Sequence, residues 1–378
     1  MNADYTDLYW LRIVVVVAFL CGIVMSPHLW FDFGRSFPRA PIVSGLMLRQ
    51  DFVISIALVV TLVLAAIMAR ARWYLVTSVV LTIVLVGLDQ TRLQPWVYQY
   101  AIMLALLGFG GANQKAVVAV NQIVVATLYF WSGLHKLSWS FVHDVAPRLI
   151  ESTGVHLSPR TLIVVALAIA VCETLIGFGL LMRRTRRIAV VMACVMHAVI
   201  LGTLIWSGLN TIVWPWNVAM IAITVILFYR RDQSPVASLR CDYLLKVALF
   251  VCGLLPALSF VGWWDLYLSG ALYSGKSPVA VMRIGESLRD RLPATAREVT
   301  FKTSRGELML PLFEWSSSEL NVPPYPELRV YREIAHQLCA SDTNTNANAL
   351  IIKGRPALTD GSSQVTMTSC TELLNNSH

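Results

Sequence analysis

The sequence predicts a polytopic α-helical membrane protein of about nine transmembrane helices, amino terminus inside, with a small C-terminal α+β domain outside. Three observations carry this reading. The 378 residues are 56% hydrophobic and only 14% charged, where a soluble domain carries about a quarter charged residues. Apolar runs long enough to cross a hydrocarbon core recur up to residue 262. The basic residues gather at the ends of those runs, as the positive-inside rule requires.

The runs lie at 9–26, 51–69, 73–88, 96–111, 116–134, 161–182, 188–206, 211–229 and 243–262. Arg70 and Arg72 follow the second, Lys115 the fourth, Arg183, Arg184, Arg186 and Arg187 the sixth, and Arg230, Arg231 and Arg240 the eighth. If every run crosses once, all four clusters share one side, which the charge rule makes cytoplasmic. The first residues carry Asp4 and Asp7 rather than a basic n-region, and no small-residue cleavage site follows, so the first span is expected to be retained. A bacterial inner membrane with the C-terminal domain in the periplasm is the expected setting. The formal charge of +8 is spent at span ends. No basic patch interleaves with aromatics in a soluble segment, which argues against nucleic acid as a partner; the expected partner is the lipid bilayer.

Between the spans, the outer loops are unusual. Segment 27–50 holds Pro27, Pro38 and Pro41. In 137–160, Phe141, Val142, Val145 and Leu149 recur at helical spacing opposite His143, Asp144 and Arg148, which predicts an interfacial amphipathic helix bent or ended by Pro147. Trp263, Trp264, Tyr267 and Tyr273 read as an aromatic belt where the ninth span ends.

The chain therefore divides into a helical membrane domain, 1–265, and a soluble domain, 276–378. In the latter, 299–302 and 307–315 read as strands around a Ser304-Arg305-Gly306 turn, 326–339 as a helix, and 349–353 and 364–369 as a second strand pair around Asp360-Gly361. Ser341 to Asn348 reads as a polar loop. Cys21, Cys172, Cys194 and Cys252 lie within spans as packing residues, and Cys241 at a span end. Cys339 and Cys370 fall in the exported domain, where an oxidising compartment predicts a disulfide. No spacing suggests a metal site.

The chemistry-bearing residues are few. Lys136, at the outer end of the fifth span, lies against the positive-inside bias. It is either a snorkelling anchor or, if desolvated, an amine with a lowered pKa that acts as base or nucleophile. Glu173 and His197 each lie about 15 Å from the arginine turn between their helices at 1.5 Å per residue, so they share one depth. Such a pair is a packing hydrogen bond, or else a proton relay or the polar wall of a cavity. Trp214-Pro215-Trp216-Asn217 adds aromatic rings and an amide near the outer end of the eighth span, as belt residues or as a flat-ring pocket.

Gly133-Leu134-His135-Lys136-Leu137, with Trp139 after it, resembles the lysine segment of the vitamin K-dependent gamma-carboxylase and of the wider horizontally transferred transmembrane (HTTM) domain family. Glu173 ahead of Gly177-Phe178, then His197, then Trp214-Pro215-Trp216 resemble further family elements in the family's order, over residues 5–262. The family often has a second lysine where this chain has His135, and its exported region is much larger.

The resemblance implies that Lys136 is the base that deprotonates a reduced, vitamin K-like quinone, with His197 and Glu173 as catalytic support. His135, Trp139, Trp214, Trp216 and Asn217 would then line the substrate site. The expected function is lysine-base chemistry, carboxylase-like or quinone-dependent, on a lipophilic hydroquinone at the outer face. The alternative is a non-catalytic scaffold or quinone- or lipid-binding protein whose exported domain docks a partner protein.

Overall fold

The computed structural model describes residues 3–43, 51–68, 71–110, 113–231, 243–342 and 347–375. Arg70, Arg240, Cys241 and the middle of the predicted polar loop lie outside the described residues. All nine apolar runs form helices or helical segments. Six stretches are long and apolar enough to cross a membrane: Asp4–Met25, Gln114–Lys136, Pro159–Leu181, Arg186–Ser207, Thr211–Phe228 and Tyr243–Val261. Three shorter apolar helices accompany them, Asp51–Ile67, Arg72–Leu88 and Pro95–Phe109. Of the nine expected spans, six are thus candidate spans and three are shorter apolar helices among the described residues.

In chain order the helices are α1 (Ala3–Met25), α2 (Pro27–Trp30), α3 (Asp51–Ile67), α4 (Arg72–Leu88), α5 (Pro95–Phe109), α6 (Gln114–Lys136), α7 (Ala146–Glu151), α8 (Pro159–Leu181), α9 (Arg186–Ser207), α10 (Trp214–Phe228) and α11 (Tyr243–Ala248). Local chemistry fixes their ends. Asn113 caps α6 by accepting from the Ala116 N–H, and Ser158 caps α8 by accepting from the Thr161 N–H. Pro95 and Pro159 open α5 and α8, where a missing N–H costs nothing. Gly208 closes α9 with a φ of 64°. After α11 the helix continues as a π turn over Leu249–Leu254 and a 3₁₀ turn over Leu255–Val261, with Pro256 at the junction. Pro147 does not stop the predicted amphipathic helix: it sits in the first turn of α7, directly after a π turn over Phe141–Val145.

The two ends of the bundle differ. At one, Arg231 pairs with Asp4 and Asp7, and the buried Arg186 donates to the Leu180 and Arg231 carbonyls. At the other, Arg35 pairs with Asp89 at 2.7 Å and Arg92 with Asp51 at 2.6 Å, all four side chains buried. The C-terminal domain sits on this second end.

That domain is a five-stranded antiparallel sheet in the order β2-β3-β1-β4-β5, with β1 (Val279–Ile284), β2 (Phe301–Lys302), β3 (Leu308–Pro311), β4 (Ala349–Lys353) and β5 (Val365–Ser369). Five helices join it: α12 (Glu286–Arg291), α13 (Ala294–Val299), α14 (Leu312–Leu320), α15 (Leu328–Ala340) and α16 (Cys370–Asn375). The predicted strand 307–315 is wrong in its second half. After Pro311 the residues Leu312, Trp315, Ser316 and Leu320 share a buried helical face, and α14 forms instead. The strand predicted at 299–302 shrinks to two residues because α13 takes Val299. The central strand β1 escaped notice, since Val279-Ala280-Val281-Met282 shows no polar alternation. Cys339 and Cys370 are bonded, tying α15 to the start of α16 with Cα atoms 5.4 Å apart.

The domain is bolted down. Glu319 accepts from the Phe37 N–H at 2.7 Å, Asn321 donates to the Met25 carbonyl at 2.8 Å, and Gln337 donates to the Arg39 carbonyl at 2.7 Å. Arg329 reaches Gln90 and Asp265, while Arg355 pairs with Glu327, which also accepts from the Leu266 N–H. The aromatic belt is corrected in part: Trp263 is 80% exposed, but Tyr267 is buried, edge-on to Tyr325 at 5.5 Å.

Candidate acid–base site between α6 and α8

Two glycines let α6 and α8 touch. A Cβ on Gly133 would lie 2.3 Å from the Thr174 nitrogen, and one on Gly177 would lie 2.5 Å from the Phe130 nitrogen. At such an approach any larger residue forces the backbones apart. This antiparallel contact brings Lys136, one turn past Gly133, onto Glu173, one turn before Gly177.

Lys136 Nζ lies 2.7 Å from Glu173 Oε2 and 2.7 Å from Ser132 Oγ, with the lysine and glutamate side chains 11% and 9% exposed. A snorkelling anchor would extend free toward water; this amine turns inward to a carboxylate. Desolvating both charges is costly, and a short contact with a further hydroxyl partner is what offsets it. The pair acts chemically as a unit.

Glu173 and His197 do not pair with each other as the shared depth suggested. His197 Nε2 lies 2.8 Å from the Tyr129 hydroxyl and its Nδ1 2.8 Å from Asn217 Oδ1. The Asn217 amide nitrogen donates to the Val213 carbonyl, which leaves Oδ1 to accept and places the imidazole proton on Nδ1. Tyr129 then donates to Nε2 and accepts from the Thr224 hydroxyl 3.1 Å away. In this arrangement every member of the buried chain has a partner. Tyr129 and Thr224 were missed; Tyr129, seven residues before Lys136, lies on the same helical face.

The remaining predicted residues disperse. Trp216 donates to Gln99 at 2.8 Å and Trp214 to the Leu209 carbonyl at 3.1 Å, so neither ring's polar edge faces Lys136. Trp139 stacks on His143 at 3.6 Å and lies under Gly361 of the C-terminal domain. His135 points away from its neighbour Lys136: it stacks on Phe260 at 4.6 Å and its Nδ1 lies 3.1 Å from Lys276 Nζ. Lys276, also missed, is buried, and burial pushes its ammonium down to about 8. Its charge rests on the Phe260 ring, 4.1 Å to the centroid.

A small, half-open cleft lies between α5, α6 and the 249–270 segment, lined by Tyr98, Thr127, Trp131, Cys252, Pro256 and Ser269 among others. It belongs to the Trp131 face of α6, roughly 140° around the helix from Lys136. Non-α backbone inside a bundle is tolerated where it lines a cavity, and the Trp131 indole satisfies the Gly253 carbonyl at 3.2 Å. The aromatic residues predicted to hold a quinone ring are therefore not gathered beside the Lys136 amine. Among the described residues no cluster of His, Cys, Asp and Glu suits a metal ion. No protein-family model, curated protein or solved structure matches the chain.

Proposed function

We propose that this is an integral membrane protein whose Lys136–Glu173 pair takes one proton from a lipophilic weak acid of hydroquinone type that arrives through the bilayer. The buried 2.7 Å pair between two candidate spans carries the reading, because an ionisable pair at that depth is expensive and marks function more often than packing. The Tyr129–His197–Asn217 chain supplies a fixed polar wall, and Ser132 orients the amine. The HTTM-like order of Lys136, Glu173 and His197 supports the class of acid. The outer face, the periplasmic placement of the C-terminal domain and the bacterial inner membrane belong to the same proposal, on the charge pattern.

A second reading, a non-catalytic quinone- or lipid-binding scaffold whose C-terminal domain docks a partner, is favoured by the scatter of Trp214, Trp216, Trp139 and His135 away from the Lys136 amine. The two separate in one experiment. Purified protein in nanodiscs is given a reduced lipophilic quinone, and binding and formation of the hydroquinone anion, read by its absorbance, are measured for wild type, Lys136→Ala and Lys136→Arg. The base reading expects binding to survive and anion formation to vanish in both variants, since alanine has no base and a guanidinium keeps its proton. Undiminished anion formation in both folded variants sinks it, and binding without anion formation in any form favours the scaffold.

A further inference from the structure

One face of the C-terminal sheet packs into the core; the other is exposed towards its β5 edge and half-buried or buried towards its centre, at Val281, Ile351 and Ala349. Ala280, Met282, Leu310, Leu350 and Ile352 point into the core. The register puts the alternate residues on the open face in cross-strand rows: Val279, Lys353 and Val365 in one, Val281, Ile351 and Met367 in the next, then Arg283, Ala349 and Ser369. Val279, Val365 and Met367 are 48%, 65% and 60% exposed.

This face is graded along the strands. Its apolar rows lie at the end that joins the helical bundle. Lys276, three residues before Val279, is buried against His135 at the tip of α6. The β4–β5 loop is held there too, where the Trp139 N–H donates to the Leu358 carbonyl at 2.9 Å. Gly361 lies flat on the Trp139 indole, with φ +69° and no room for a Cβ. Leu358 and Trp139, 43% and 40% exposed, continue the apolar surface from β5 to the span end. The far end is polar, with Arg283 facing Glu307 at 3.6 Å and Ser369 beyond; Phe301, exposed on β2, is the exception. A surface that turns from apolar to charged with distance from the span ends is matched to a bilayer boundary, and Trp139 and Lys353 are the residue types that settle there.

We propose that the apolar end of this open face, Val279, Val365 and Met367 with Leu358 and Trp139, rests in the lipid headgroup layer, where Lys353 meets lipid phosphates. This rests on α6 and α8 spanning the membrane. The occupant is lipid because the patch is continuous with the span ends and flanked by a cation lying between two exposed valines.

The test uses full-length protein in nanodiscs, its free cysteines replaced by alanine and a single environment-sensitive fluorophore placed at Val365→Cys or Leu358→Cys. Leu175→Cys, 57% exposed and five residues past the middle of α8, is the deep reference and Arg305→Cys the aqueous one. Nitroxide lipids labelled near the headgroup should cut the emission at 365 and 358 more than lipids labelled near the chain end, with the order reversed at 175 and no loss at 305. If 175 is quenched but 365 and 358 are not, the lipid contact is overturned. Quenching of 365 and 358 by aqueous iodide then marks a free face, and protection from both quenchers a protein partner. If 175 is not quenched either, the membrane reading itself falls.

Discussion

Replacing Lys136 by methionine keeps the length of the side chain but leaves the Glu173 carboxylate buried with no cation. The contact is 2.7 Å and both side chains are about nine-tenths buried, so removal of one partner belongs in the range of about 3–5 kcal/mol. An orphaned acid has one escape, to take a proton, and at pH 7 that costs an ordinary carboxylic acid about 3.7 kcal/mol. The penalty for Lys136→Met is thus capped near that figure. Glu173→Leu leaves an ammonium held only by the hydroxyl and carbonyl of Ser132, at a similar cost. The double variant removes both charges together and should return to within about 1 kcal/mol of wild type, since buried pairs exchanged for apolar groups are often neutral. The coupling, read from reversible unfolding in mixed micelles, should then reach about 3 kcal/mol or more. Interhelical hydrogen bonds in membranes average about 0.6 kcal/mol in the same kind of cycle. A coupling as small as that, with the double variant as damaged as the two singles combined, would falsify the buried ion pair.

Two further outcomes follow from the junction and the C-terminal domain. Lys276 is pushed down to about 8 from an ordinary 10.5, so between these values the unfolded chain binds the proton that the folded chain has lost. Stability should therefore rise with pH across that window, and melting curves of Lys276→Met should lack this part of the slope. Opening the Cys339–Cys370 bond releases a loop with a sequence separation of 31, worth about 3.7 kcal/mol in chain entropy. Cys339→Ala/Cys370→Ala should lose most of that in denaturant titration of the C-terminal domain, and an unchanged midpoint would show that the bond adds nothing.

The helices were legible because apolar runs and their charged ends are local signals. The ladder of the C-terminal sheet was only half legible: Ala349–Lys353 could be read from its flanks, whereas β1 buries alternate residues but is apolar on both faces over Val279–Met282 and reads as a plain apolar run. Depth along a helix could also be counted, which brought Glu173 and His197 to one level. Rotation could not. The partner of Glu173 is chosen by where α8 leans on α6, and the glycines that set this contact, Gly133 and Gly177, stand one turn from Lys136 and Glu173 respectively. Read together, their spacing contained the register. Tyr267 illustrates the opposite limit: an aromatic next to a span end has the same sequence context whether it faces lipid or packs against Tyr325, and only the position of the C-terminal domain decides.

The bond from Glu319 to the Phe37 N–H joins residues 282 positions apart. A ribosome adding about 5–20 residues per second needs roughly 15–60 s to make that stretch. For that time the loop after α1 has been made without the carboxylate that will close it, and Ser36 and Phe37 must keep their N–H groups hydrated or chaperoned. Assembly of this end of the molecule is therefore a late event in biogenesis. A ribosome stalled before residue 319 would release an early loop still waiting for its clasp, so truncations in the C-terminal domain should expose the 27–43 segment to protease long before they disturb the bundle.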